Sequence, residues 1–127
     1  MKSIINEIVA NDVKGLIEFY CKYFNFEVSA TEENDGIITW AEITQDSLSI
    51  MFHDYDLICE EYNNYPKKYP ASNIIMFKYD SKQEAKKIYD LLKSNHIEVF
   101  SDWTETDYGS VEFIINDLEG NKILISA

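Results

Sequence analysis

An internal repeat limits the architecture of this chain more than any other feature. Asp12 opens an apolar stretch of helical periodicity that leads into a strand, and Asp80 opens a second one 68 residues later (80 minus 12) in a chain of 127. Each stretch is preceded by one apolar strand and followed by further strands, so the order β-α-β-β-β occurs twice. Self-similarity at a fixed period indicates repeated structural units. We therefore predict an α+β fold in which two βαβββ modules form curved mixed sheets around a cavity.

The two predicted modules occupy about 1–54 and 71–127 of a single domain, and residues 55–70 join them. The joining segment is rich in Tyr, Asn and charged residues and has no counterpart in the repeat. We expect a helical turn in it near 59–61. Connections of this length in compact domains are often functional lids or linkers.

Charge and hydropathy exclude two classes of partner. The chain has 23 acidic and 11 basic residues, for a net charge of −12. A nucleic-acid binder needs a basic stripe, and no apolar run approaches the ~20 residues of a membrane helix. We expect a cytoplasmic protein without nucleic-acid or membrane partners, in which Cys21 and Cys59 stay reduced. The acidic excess either keeps the chain soluble or attracts a cationic ligand.

Short motifs in both halves resemble those of a known family. The first half contains Asn11-Asp12-Val13, Phe19-Tyr20 and Phe24-Asn25-Phe26, and the second contains Tyr108-Gly109 and Asn116-Asp117-Leu118-Glu119-Gly120-Asn121. They resemble signatures of the vicinal oxygen chelate superfamily, which includes glyoxalase I, fosfomycin-modifying enzymes, extradiol dioxygenases and bleomycin resistance proteins. Leu118 stands where the family's Asp-Pro-x-Gly-Asn motif has proline. The resemblance covers nearly the whole chain and implies the paired βαβββ fold.

The resemblance also raises the question of a metal. In the enzymes of that superfamily, a divalent ion binds His, Gln or Glu side chains from four strands. The matching positions here are Ile5, Met51, Asn73 and Leu124. Aliphatic side chains cannot coordinate, and a thioether is a poor ligand for a hard dication. We therefore expect no metal and no cofactor. No Ser or Cys has a His and an acid at positions that indicate covalent catalysis.

Strand alternation assigns candidate ligand-binding side chains to the cavity. Counting along the strands from Ile5, Met51 and Asn73, and assigning the apolar sets of the other strands to the helix side, places these residues there: Glu7, Trp40, Glu42, Met51, His53, Phe77 and Glu112. Trp103 and Tyr108 border the cavity from a polar loop that we place at 102–107. Aromatic rings with carboxylates suit a flat or cationic organic ligand. The alternative is that Trp40 fills a core and the glutamates lie on an exposed rim. Trp103, in a polar loop, is assigned to contact with a ligand or a second subunit.

Three functions follow from these observations. The leading hypothesis is a metal-independent binding protein, similar to bleomycin resistance proteins, that sequesters a cationic aromatic compound, acts in antibiotic resistance and forms a homodimer. The runner-up is a metal-dependent lyase or isomerase of the glyoxalase type, with a metal site relocated to His53 and a glutamate. The third is a regulatory or interaction module. Binding rather than catalysis is expected, and the sequence does not identify the ligand.

Overall fold

The order of helices and strands repeats once along the chain. A computed structural model describes residues 1–63, 65 and 73–127, and the chain divides into two compact units, Met1–Lys68 and Tyr69–Ala127. The elements of the first unit are β1 (Asn6–Ala10), α1 (Val13–Phe24), β2 (Glu27–Asn34), β3 (Ile37–Gln45), β4 (Leu48–Asp54) and α2 (Tyr55–Glu61). Those of the second are β5 (Ile74–Lys78), α3 (Lys82–Ser94), β6 (Val99–Glu105), β7 (Val111–Asn116) and β8 (Lys122–Ser126). The predicted α+β class with two βαβββ modules is confirmed.

Helix α1 forms where the apolar periodicity predicts it. The Asp12 carboxylate caps its first turn by accepting the Gly15 N–H at 3.0 Å, and the helix ends at Asn25, which adopts a left-handed conformation with φ 58°. The apolar face is buried and consists of Val13, Leu16, Ile17, Phe19, Tyr20, Tyr23 and Phe24. The Tyr20 ring packs against that of Phe52 on β4, with centroids 5.3 Å apart. Helix α1 therefore covers one face of the first sheet.

The first sheet has the strand order β1-β4-β3-β2, with β1 parallel to β4 and the other pairs antiparallel. The side chains under α1 are buried and alternate along three strands: Ile8, Ala10, Ala41, Ile43, Ile50 and Phe52. Asn6 shares this face, and its Nδ2 is buried without a hydrogen-bond partner among the described residues. Alternation places the intervening residues on the opposite face, which helix α1 does not cover and which is therefore named the uncovered face.

The second sheet repeats this arrangement with the order β5-β8-β7-β6. Val111, Phe113, Ile115, Ile123 and Ile125 are fully or almost fully buried on the face that α3 covers. Contact between the rings of Tyr89 on α3 and Phe113 on β7, at 5.2 Å, identifies that face.

The predicted position of Phe77 inside the cavity is wrong, because the offset between the modules is 69 residues rather than 68. The residue that caps α3 is Ser81, whose hydroxyl accepts the Glu84 N–H at 3.2 Å, whereas Asp12 caps α1 (81 minus 12). A slip of one residue moves every side chain of a strand to the opposite face. Phe77 lies beside Ile125 on the face under α3, and Met76 takes the uncovered position.

Tyr79 belongs to the same side as Phe77. Burial, and to a smaller extent the neighbouring Glu84 carboxylate, raises the pKa of its hydroxyl to about 12. Since Glu84 lies in the first turn of α3, this proximity agrees with a position on the side of the sheet that faces α3.

The predicted polar loop at 102–107 is also wrong, and so is the assignment of Trp103 to it. Residues 102–105 belong to β6, and the Trp103 ring stacks on Phe113 at 5.9 Å and meets the Tyr89 ring at 5.5 Å. Trp103 is half-buried in the packing between α3 and the second sheet. The Tyr89 hydroxyl donates to Asp102, and this bond, followed by the Trp103 N–H, lowers the pKa of the Asp102 carboxyl.

The predicted connection at 55–70 begins with α2, which contains the expected helical turn near 59–61. Its positions 64 and 66–70 lie outside the described residues. Within the described part of the chain, the helices are all too short or too polar to cross a membrane.

Trp103→Ala is expected to lower the free energy of unfolding by about 2–3 kcal/mol, because it leaves a cavity beside Phe113; large-to-small changes at fully buried aromatic sites cost about 3–5 kcal/mol. Phe100→Ala is the matched control in the same strand, since that ring is 63% exposed, and it should cost less than about 1 kcal/mol. Urea denaturation of both variants measures the difference. Equal costs would contradict the packing of Trp103 in the core.

Candidate functional site on the first sheet

Two neighbouring rows of side chains cross the uncovered face of the first sheet. The strand register aligns them across β1, β4 and β3 as Val9, His53, Trp40 and as Glu7, Met51, Glu42. Five of the residues predicted to bind a ligand therefore lie on one face, in adjacent rows of three neighbouring strands. Since β4 is the central strand of the three, His53 and Met51 lie between side chains of β1 and β3.

His53 lies between two carboxylates. Its Nδ1 is 3.1 Å from Glu7 Oε1 and its Nε2 is 3.3 Å from Glu61 Oε2, while its side chain is only 11% exposed. The Glu7 contact has hydrogen-bond geometry. The Glu61 carboxylate approaches Nε2 at ion-pair distance, but Nε2 forms no aligned hydrogen bond among the described residues. Both ring nitrogens of His53 therefore face a carboxylate, and the ring bridges Glu7 on β1 and Glu61 on α2.

Glu61 reaches His53 because β4 continues directly into α2. The Asp54 side chain accepts the Leu57 N–H at 3.1 Å and caps the first turn of this helix. The chain therefore turns at the end of β4, and seven helical residues bring Glu61 back to the imidazole. The side chain of Glu61 thus covers the buried ring from outside the sheet.

Glu42 is held by two hydroxyl groups. Ser49 donates to its Oε1 at 2.6 Å, and Ser29 donates to its Oε2 at 3.1 Å. An ionised carboxylate is only an acceptor and has about four lone-pair sites, so both oxygens can accept further donors. The serines orient Glu42 on the uncovered face and do not neutralise it.

Apart from His53, the strands of the first unit carry no basic side chain beside these carboxylates. The four strands β1 to β4 contain no Lys or Arg, and they contain Glu7, Glu27, Glu32, Glu33, Glu42 and Asp54. The uncovered face of the second sheet differs, because Lys78 and Lys122 lie there beside Ser126 and Asn116. The negative charge of the molecule is therefore distributed unevenly between the two sheets.

Two predicted site residues meet on the second sheet. The Tyr108 hydroxyl donates to Glu112 Oε1 at 2.8 Å, and Glu112 lies on the uncovered face opposite Thr104. Phe77 and Trp103 lie on the covered side, so this pair is not joined by the two other aromatic residues predicted to line the site.

Sequence reasoning missed three of the residues that complete the contacts on the first sheet, namely Ser29, Ser49 and Glu61. Alternation along β4 does place Ser49 on the same face as Met51, so its role was accessible from the pattern. The course of α2, which positions Glu61, carries no such signal. The other histidine, His96, is exposed in the turn after α3, where it adopts φ 58°.

A cavity of about 480 Å³ lies at the start of α1, beside the β2–β3 hairpin and the end of β4. Two of the carboxylates that line it, Asp12 and Asp54, accept backbone N–H groups of α1 and α2. Because these groups cap helices, we place the candidate site on the sheet face instead.

Comparison with known proteins identifies the family. The model of the glyoxalase/bleomycin resistance protein/dioxygenase superfamily matches residues 4–125. The chain belongs to this superfamily. A comparison with curated protein sequences finds no significant match.

Several solved structures share the fold of this chain. Lactoylglutathione lyase from Agrobacterium tumefaciens is 18% identical, with a TM-score of 0.77 over 99% of this chain and 93% of that one. TioX from Micromonospora sp. ML1 is 11% identical, with a TM-score of 0.74 over 99% and 98%. A possible glyoxalase from Bacillus cereus is 19% identical, with a TM-score of 0.72 over the full length of both chains. At such identities the similarity shows the fold alone.

The side chains of this superfamily member do not fit the divalent metal of its enzymes. With the corrected offset, the position predicted as Asn73 falls on Ile74, so Ile5, Met51, Ile74 and Leu124 would all present apolar side chains. Among residues 1–63, 65 and 73–127, no three His, Cys, Asp or Glu side chains are arranged to hold a metal. Among the described residues, a relocated site at Nε2 of His53 would have Glu61 as its one further protein ligand, whereas structural zinc sites have four ligands.

Metal ions are therefore expected to leave the melting temperature unchanged within about 1 °C, whether Zn²⁺ or Ni²⁺ is added or EDTA removes trace metal. A ligand at 100 times its Kd would stabilise the fold by about 2.7 kcal/mol, which shifts the melting temperature by several degrees. His53→Gln is the control. A metal-dependent rise that this variant abolishes would establish a relocated site and contradict the expectation.

Proposed function

We propose that this protein binds a cationic aromatic compound without a metal and sequesters it, and that binding centres on the uncovered face of the first sheet. One observation carries the proposal. Trp40 lies there in the row next to Glu7 and Glu42, and the four strands that form the sheet contain no Lys or Arg.

The chemistry of this face favours a cation over an anion. A cationic group over a tryptophan ring gains about 0.5–2 kcal/mol, depending on how far it is desolvated. A cation close to Glu7 or Glu42 gains a charge-assisted hydrogen bond as well. An anionic ligand would meet Glu7 and Glu42 and no Lys or Arg on these strands, and like charges brought together in an interface cost several kcal/mol.

The proposed site retains most of the residues predicted from the sequence. Glu7, Trp40, Glu42, Met51 and His53 form its core on the first sheet. Glu112 and Tyr108 stay candidates on the second sheet because they contact each other on its uncovered face. Phe77 and Trp103 are not included, since both rings pack on the covered side.

Isothermal titration calorimetry with a matched pair of probes tests the proposal. Aminomethylbiphenyl, a monocation, should bind more tightly than its neutral isostere biphenylmethanol by about 1.5–3 kcal/mol, the value of one hydrogen bond between charged groups. Glu42→Gln should remove most of this difference. Glu18→Gln, an equal charge change at an exposed position of helix α1, should preserve it. Equal affinities of the wild-type protein for the two probes would contradict the proposal.

Trp103→Phe makes Trp40 the only tryptophan of the chain, which has two. Its fluorescence should then change when aminomethylbiphenyl binds, because the ligand contacts this ring. An unchanged emission spectrum at saturating ligand would place binding elsewhere.

We also propose that the protein is a homodimer. Each sheet has two edge strands, and open edges such as β1, β5 and β6 favour association. Apolar side chains are exposed on the uncovered face of the second sheet as well, with Met76 as one example. Light scattering at micromolar concentration should give twice the 14.8 kDa chain mass. A monomer mass would contradict this proposal and leave the ligand proposal intact.

A further inference from the structure

We infer that the bridge Glu7–His53–Glu61 is a proton-dependent attachment of helix α2 to the first sheet. With a protonated ring the bridge is complete, and with a neutral ring Glu61 separates and α2 loosens. The ring that forms the bridge belongs to a residue that is only 9% exposed. Its Nδ1 lies 3.1 Å from Glu7 on β1, and its Nε2 lies 3.3 Å from Glu61 on α2. No ligand takes part, so this attachment is independent of the proposed function.

The ring satisfies both carboxylates in only one of its protonation states. An imidazolium has an N–H on each nitrogen, whereas a neutral imidazole has one N–H and one lone pair. An ionised carboxylate only accepts hydrogen bonds. A neutral ring therefore donates to one carboxylate and turns a lone pair towards the other. Because the ring is buried, water screens this repulsion less than it would at the surface.

Glu61 is the partner that separates. The Glu7 contact has hydrogen-bond geometry, and the backbone of Glu7 is fixed in the sheet by the pairing of β1 with β4. The Glu61 contact is at ion-pair distance without an aligned hydrogen bond among the described residues. Glu61 is also the last residue of a helix of only seven residues. Loss of the proton therefore acts on α2 rather than on β1.

Helix α2 depends on its contacts with the rest of the first unit. Helices shorter than about 12–15 residues are marginal in water. The Asp54 carboxylate caps the start of α2, and Ile58 is buried in its middle. At its end Glu61 and Tyr62 are exposed, and the Tyr62 N–H donates to the Ile58 carbonyl at 2.9 Å. The contact of Glu61 with the ring therefore stabilises the last turn.

The sign of the pH dependence follows from the groups around the ring. Besides the two partners of the bridge, these are Glu42 in the adjacent row of β3 and Asp54, which follows His53 and caps α2, while Trp40 is the uncharged neighbour in the same row. Carboxyl groups ordinarily titrate near pH 4, whereas imidazole is the side chain that changes charge between about pH 5 and 8. A contact that favours the protonated form is present at lower pH and is lost as the pH rises. Rising pH therefore loosens α2 and uncovers the ring beside Trp40.

Hydrogen exchange of backbone amides, followed by NMR from about pH 6 to about pH 9, tests the inference on the full chain. Each exchange rate is compared with that of an unstructured peptide at the same pH, which removes the effect of base catalysis. The protection of the Tyr62 amide is expected to fall about ten-fold, as the loss of one hydrogen bond to a charged group implies. The fall should follow the protonation of His53, which the ¹⁵N shifts of its ring report. Amides of β3 and β4 should stay protected.

Two substitutions separate the bridge from other effects of pH. Glu61→Gln should abolish the pH dependence of Tyr62 protection, because an amide can donate to a neutral Nε2 or accept from a protonated one. Glu61 is exposed, so this variant is expected to fold. His96→Gln changes the other histidine, which is exposed in the turn after α3, and should leave the pH dependence as it is in the wild type.

Constant protection of the Tyr62 amide while the His53 ring titrates would overturn the inference. A pH dependence that persists in Glu61→Gln, or that disappears in His96→Gln, would also overturn it. An equal loss of protection in β3 and β4 would show that the whole unit opens, and would contradict a local loosening of α2. Each of these outcomes leaves the proposed function standing, since the calorimetric titrations test it separately.

Discussion

Helix packing on one face of each sheet is the constraint on which the rest of this structure depends. Once α1 covers the face of Phe52 and Ile43, alternation along each strand assigns every other side chain to the uncovered face. Burial of apolar area drives this choice, since it is the dominant favourable term in folding. The polar residues of the candidate site lie together because they are the residues that the helix does not cover.

The accuracy of sequence reasoning depended on where each helix begins. Asp12 caps α1 as the motif predicts, and every face assigned in the first unit from that point agrees with the register. At the second helix two neighbouring residues, Asp80 and Ser81, are both suitable caps. Asp80 has the same residue type as Asp12, but the hydroxyl of Ser81 is the group that accepts the Glu84 N–H. This one-residue ambiguity exchanged the predicted faces of β5 and placed Phe77 on the wrong one.

Other errors came from irregular backbone. In β6 the register shifts between Val99 and Ser101 and again before Thr104, so simple alternation cannot place Trp103. Its polar neighbours indicated a loop, although its ring contributes to the core. The contact of Glu61 with His53 depends on the direction of α2 after β4, and periodicity contains no information about direction. The two modules agree on their covered faces and differ on their uncovered ones, so the site of one cannot be inferred from the other.

Strand β2 is suited to a protein that has to be present at high concentration, as the proposed function requires. It is an edge strand whose eight residues are all exposed. Two register shifts interrupt its pairing with β3, and it carries the charged side chains of Glu27, Glu32 and Glu33. Bulges and charges of this kind oppose edge-to-edge pairing between molecules. A protein that sequesters its ligand removes one molecule per site and does not turn over, so protection depends on the number of copies that a cell maintains. The irregular acidic edge therefore favours accumulation to high concentration without aggregation.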